Sequence, residues 1–194
     1  MNKGISVKNI TIVGFGMALN VVGAFIALTL RLPIYIDSIG TIMVAALLGP
    51  KYAVITGVFG SLVSGMTFDP YSIYFAPVQI STGLLAGMAY KRDLLKGIKT
   101  PLGVLLFALP TSILSSIIAA FVFGGVTSSG SSYIVQILKV IGIGDVTSVF
   151  ITQFFTDYLD KFVGVLVVNL GINAIPIGIK TSIVNQKERE YNNG

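Results

Sequence analysis

The 194-residue sequence contains no cysteine, no histidine and no tryptophan. Without cysteine there are no disulfides and no thiolate nucleophiles. Without histidine as well, the usual zinc ligands and the commonest general base are gone. Charge is also scarce: Asp, Glu, Lys and Arg make up 11% of the chain, where soluble domains carry roughly a quarter. No Walker lysine loop and no Gly-rich nucleotide fingerprint occurs, so the chain has no visible means of powering a process itself. No residue set calls for a metal or a cofactor. Thirteen basic against eight acidic residues give a net charge of +5. The basic residues lie between apolar runs, not in a patch interleaved with aromatics, which fits lipid headgroups and excludes nucleic acid.

What the chain has in abundance is apolar length: 54% hydrophobic residues and a mean hydropathy of +0.87. Residues 10–30 carry no charge, and at about 1.5 Å per residue such a run crosses the roughly 30 Å hydrocarbon core of a bilayer. Lys3 and Lys8 precede it. The run is too long for the core of a signal peptide and more spans follow, so no cleavage is expected. Further runs cover 38–49, 52–68, 72–90, 102–124 and 162–179. They are punctuated by Gly49-Pro50, by Asp69-Pro70 and by a polar Gly124–Ser132 stretch, the residues that end helices and make turns. A polar tail runs from Asn185 to Gly194.

The segment 133–156 is apolar but holds Lys139, Gly142, Gly144 and Asp145, and charge bookkeeping assigns it. With six spans and the N-terminus inside, Lys3, Lys8, Lys51, Lys91, Arg92, Lys96, Lys99, Lys180, Lys187 and Arg189 are cytoplasmic, leaving only Arg31, Lys139 and Lys161 outside. A seventh span would put the basic tail on the wrong face. The sequence therefore predicts an all-α integral membrane bundle: one domain over 1–194, six transmembrane helices, both termini cytoplasmic, and a long helical outer loop at 125–160. The absence of an internal repeat gives no support to the inverted-repeat plan of secondary transporters.

Polar residues gather toward the outer side. Asp37 and Asp69 are placed to cap or turn into helices two and four, and a cap can also face a pocket. Asp157 and Lys161 stand four residues apart, as a local ion pair would. Together with Asp160 they form an ionisable group near membrane depth, where function is the default suspicion. Tyr35, Tyr71, Tyr74 and Tyr133 suit either an aromatic belt or stacking on a planar ligand. Gln79, two residues past Pro77, is expected at a helix kink as a ligand contact or as packing glue. Asn20, Asn169 and Asn173 are expected in interhelical hydrogen bonds. Gly14 and Ala18 offer a small-residue face on helix one for a docking protein, while Gly83 and Gly87 suit internal packing.

The stretch from Ile5 to Ala18, ISVKNITIVGFGMA, and above all that from Ile36 to Gly60, IDSIGTIMVAALLGPKYAVITGVFG, resemble the S components of energy-coupling factor (ECF) transporters. These small prokaryotic membrane proteins capture vitamins for a shared ATPase module. The resemblance covers almost the whole chain and implies a multi-pass protein of the cell membrane. It also implies an Ala-xxx-Ala docking face on helix one, matched here by Gly14 and Ala18 with Val22 next, for a membrane scaffold subunit that carries two ATPase subunits. The pocket it implies faces outward and is formed by the first, third and fifth connections and the outer ends of helices four to six.

The expected function is therefore substrate capture without enzymatic activity, with Arg31, Tyr35, Asp37, Asp69, Tyr71, Tyr74, Gln79, Tyr133, Asp157, Asp160 and Lys161 as candidate substrate-binding residues. Acids and tyrosines with few cations favour a neutral or weakly charged ring compound, and pyridoxine-, riboflavin- and cobalamin-like ligands all remain open. A stand-alone ion-coupled carrier is the alternative. A membrane enzyme using Asp157 and Asp160 is disfavoured, because no phosphate- or metal-binding group accompanies them.

Overall fold

The structure is a computed structural model that describes residues 6–174. Lys3, Lys180, Lys187, Arg189, the end of the 162–179 run and the tail lie outside the described residues. Within them the chain is all-helical, with no strand.

Helix α1 spans Val7–Thr29, a stretch without proline or internal acid, and it ends where Arg31 turns into the left-handed region at φ 50°. Helix α2, Ile39–Leu47, is joined to α3, Pro50–Thr67, through Gly49 at φ 90°. Glycine supplies the positive φ, and proline opens the next helix where its missing N–H is no loss. A single turn, α4 at Tyr71–Tyr74, precedes α5, Ala76–Lys91. Helix α6, Thr100–Ile117, follows a 3₁₀ turn at Gly97–Lys99 and runs on into a π-helical turn at Ile118–Val122. Helices α7, Ser131–Val140, and α8, Asp145–Ala174, complete the described chain.

Two expectations need correction. The 72–90 run is broken at Phe75 between α4 and α5, and Pro77 sits in the first turn of α5, so it starts a helix instead of kinking one. The 125–160 segment is not one long loop. Gly142 and Gly144 do interrupt it, but α8 begins at Asp145 and runs unbroken for 30 residues. Asp157, Asp160 and Lys161 are buried and paired with one another, so they face the bundle interior within the helix. By length and apolarity, two segments suffice to cross a membrane, Val7–Thr29 and Gly97–Val122.

Helix α3 packs against α1 and α5, and α6 against α8. Close backbone approach needs glycine at the crossings. A Cβ at Gly40 would collide with the Gly16 carbonyl, and one at Gly87 would lie 2.7 Å from Pro50 Cα. One end of the bundle has an apolar core built on Ile42, Val44, Leu95, Val104, Phe107 and Val165. At the other end the interior is polar. On α1, the stripe of Gly14, Ala18 and Val22 is exposed, and nothing lies within 4 Å of a Cβ built on Gly14.

Candidate functional site

The polar end of the bundle holds a narrow pocket lined by side chains from several elements. The connection between α1 and α2 contributes Tyr35 and Asp37, the α4–α5 break contributes Ser72 and Phe75, and α5 contributes Val78 and Gln79. Ser115 of α6 and Gln153, Asp157 and Lys161 of α8 close the other side.

The connection is held over the cavity from α8. Asp160 accepts the Ile36 backbone N–H on Oδ1 at 2.8 Å and the Ser38 hydroxyl on Oδ2 at 3.0 Å. Ile36 lies at φ 54°, a conformation that costs a β-branched residue energy and so needs such a clamp. Lys161 Nζ is 3.0 Å from Asp160 Oδ2 and 3.7 Å from Asp157 Oδ1, while Ser115 donates to Asp157 Oδ2 at 2.6 Å. Asp37 is not a helix cap: Ser38 occupies that position and makes no side-chain cap bond, and the Asp37 carboxylate lines the cavity instead. Burial, then the nearby Asp160 carboxylate, raise the Asp37 carboxyl to about 7 against the pull of Lys161. Burial likewise pushes the Tyr35 hydroxyl up to about 12, so it acts as a donor, here to Thr127 Oγ1 at 3.2 Å.

Gln79 is anchored from both ends of its amide. Its Oε1 accepts from Thr41 Oγ1 at 2.9 Å, and its Nε2 donates to the Asp37 carbonyl at 3.2 Å. Asn20 on α1 extends this chain by donating to Thr41 Oγ1 at 2.8 Å. Asn169 joins Leu95 and Tyr90 as an interhelical bond, whereas Asn173 is exposed.

Six of the eleven candidate binding residues therefore meet at this cavity: Tyr35, Asp37, Gln79, Asp157 and Lys161 on its wall, and Asp160 behind it. The other five lie elsewhere. Asp69 is the expected turn residue, accepting from Ser72 Oγ at 2.8 Å, and it lines a separate cavity of about 200 Å³. Tyr71 and Tyr74 pack on Phe123 with ring centroids 4.8 and 5.1 Å apart. Arg31 donates to the Tyr133 hydroxyl, and both line an open groove. Sequence reasoning missed Ser72, Phe75, Val78, Ser115 and Gln153. Gln153 was findable by the rule that singled out Gln79, an amide inside an apolar run, had its segment been taken as helix.

The arrangement brings apolar and aromatic side chains together with several hydrogen-bonding groups at one pocket. It offers no metal ligand set: among the described residues no group of three His, Cys, Asp or Glu side chains could hold an ion. No curated protein and no solved structure matched the chain. The family model for the ECF-type riboflavin transporter S component matched residues 4–176. The chain thus belongs to the S components of ECF-type riboflavin transporters, prokaryotic membrane proteins that bind a substrate for import and are not enzymes.

Proposed function

We propose that this pocket, opened further on binding, takes up riboflavin or a close relative from outside the cell. The pyrimidinedione edge of a flavin presents an N–H donor between two carbonyl acceptors. Asp37 supplies an acceptor for the N–H, and the Lys161 ammonium and the Gln153 amide supply donors for carbonyls. Phe75, Val78 and Tyr35 supply faces for the ring. A site built on such fixed polar groups rejects analogues that leave them unpaired. The observation that carries this reading is the convergence of these groups, from four separate chain segments, on one pocket in a chain of this family.

In the same reading α1, α2, α3, α4–α5, α6 with its π turn, and α8 make six crossings in one membrane domain, with both termini cytoplasmic. Lys8, Lys51, Lys91, Arg92, Lys96 and Lys99 then lie at the cytoplasmic end, opposite the cavity, as the positive-inside rule asks. The stripe of Gly14, Ala18 and Val22 is the docking face for the scaffold subunit, which joins the protein to two ATPase subunits. Its exposure supports this assignment.

The test is a riboflavin titration of the purified, ligand-stripped protein, read by quenching of flavin fluorescence. One tight site is expected, weakened tenfold or more by Asp37→Asn. Absence of saturable binding, or unchanged affinity in Asp37→Asn and Gln153→Ala together, overturns the assignment of the cavity.

A further inference from the structure

Beyond the proposed flavin pocket lies a second, open groove of about 530 Å³. It is lined by Leu28 and Thr29 at the end of α1, by Arg31, by the 126–130 loop, and by Ser132, Tyr133 and Gln136. No carboxylate lines it. Arg31 is the one basic residue at this end of the described chain with no carboxylate within 4 Å, since Lys139 pairs with Asp145 and Lys161 with Asp157 and Asp160. Its guanidinium bonds only the Tyr133 hydroxyl, leaving most of its five N–H donors available. Ser128 Oγ is shielded from solvent and lies close to the Tyr35 hydroxyl.

The groove is preformed. Gly130 donates its N–H to the Leu32 carbonyl at 3.1 Å, and a Cβ there would collide with the Arg31 carbonyl. The hydroxyl-bearing loop is thereby fastened against the Arg31 backbone. Thr29 continues downward, at helical spacing, into Val22, Phe25 and Ile26, which are all exposed and apolar. A cation ringed by hydroxyls at the head of an apolar strip matches a molecule with an anionic head and hydrocarbon tails. Guanidinium binds phosphate through paired hydrogen bonds.

We propose that this groove is a phospholipid site: Arg31 and Gln136 hold the headgroup phosphate, and the acyl chains lie along Val22, Phe25 and Ile26. In the orientation proposed above the lipid belongs to the outer leaflet, and it shares the upper part of the α1 stripe with the docking face.

The test uses native mass spectrometry of the detergent-purified protein titrated with phosphatidylglycerol, with a phosphate-free diglucosyl diacylglycerol as comparison. The expected result is one retained phosphatidylglycerol per protein. Arg31→Asn should reduce its retention at least tenfold and Gln136→Ala a few-fold, while Lys96→Gln, at the other end of the bundle, leaves it unchanged. Asparagine tolerates the left-handed backbone at this position, and a melting temperature in detergent close to that of the parent reports that Arg31→Asn is folded. Equal retention of the phosphate-free lipid, undiminished retention in folded Arg31→Asn, or an equal loss in Lys96→Gln overturns the site. Displacement of the lipid by millimolar inorganic phosphate assigns the pocket to free phosphate and overturns the lipid. Because the assay needs neither membrane orientation nor a flavin, its failure is separate from failure of the flavin cavity.

Discussion

Thr41 Oγ1 donates to Gln79 Oε1 across 2.9 Å while accepting from Asn20 Nδ2 at 2.8 Å. These two bonds join α1, through α2, to a side chain on the cavity wall. Asn20 Oδ1 also takes the backbone N–H groups of Gly40 and Thr41, at 2.7 and 3.2 Å. One amide on α1 thus completes the start of α2 and orients the amide that faces the ligand. Asn20→Ala strands several buried donors at once and should cost about 1–3 kcal/mol per unsatisfied group. The expected outcome is a lower melting temperature in detergent together with weaker flavin binding; a normal melting temperature with normal affinity would show the relay to be dispensable.

Lys161 is the only cation among three carboxylates at the cavity. Removing one partner of a buried ionic group leaves uncompensated charge, at about 3–5 kcal/mol. Lys161→Met should therefore unfold or strongly destabilise the protein. Lys161→Met combined with Asp160→Asn should recover part of the loss, read as thermal stability in detergent. If the double variant is no more stable than the single, the lysine acts through packing and not through charge.

Affinity should depend on pH through Asp37. The free carboxyl titrates near 7, and a ligand N–H that bonds the ionised form lowers that value in the complex. Affinity should then be greatest above pH 7, fall as pH drops below 7, and level off beneath the lower pKa of the complex, with a slope of at most tenfold per unit for one proton. Asp37→Asn should abolish this slope. A parent profile that is flat from pH 5 to 8 would mean that Asp37 does not meet a donor on the ligand.

Gly14→Leu and Ala18→Leu alter an exposed stripe where an added side chain meets nothing inside the subunit. Flavin binding by the isolated protein should survive both, and vitamin uptake in cells with the complete transporter should be lost. Loss of binding in the isolated protein would show that the stripe supports the fold.

Much of this organisation was legible in the sequence, because uncharged length and breaker residues are local signals. The Gly49-Pro50 turn, helix α1 and the packing role of Gly83 and Gly87 all follow from residue types at fixed spacing. The residues that converge on the cavity were partly legible, since ionisable and amide groups are costly inside an apolar chain and Asp37, Gln79, Asp157, Asp160 and Lys161 stand out there. Small hydroxyls do not stand out: Ser72 and Ser115 resemble any serine that bonds its own helix. The start of α8 at Asp145 was hidden because Lys139, Gly142, Gly144 and Asp145 interrupt the apolar pattern there, and charge balance across the bilayer counts crossings without marking where a helix begins. Nor could Arg31 and Tyr133 be separated from the cavity, because the groove they share is made by a contact between positions 102 residues apart.

The backbone contact between Gly16 and Gly40 leaves no slack between the first two helices. In the proposed assembly, a subunit gripping Gly14, Ala18 and Val22 would therefore act on α1 and α2 together. Asn20 and Thr41 are seated on that pair, and their bonds connect it to Gln79, at the wall of the vitamin chamber.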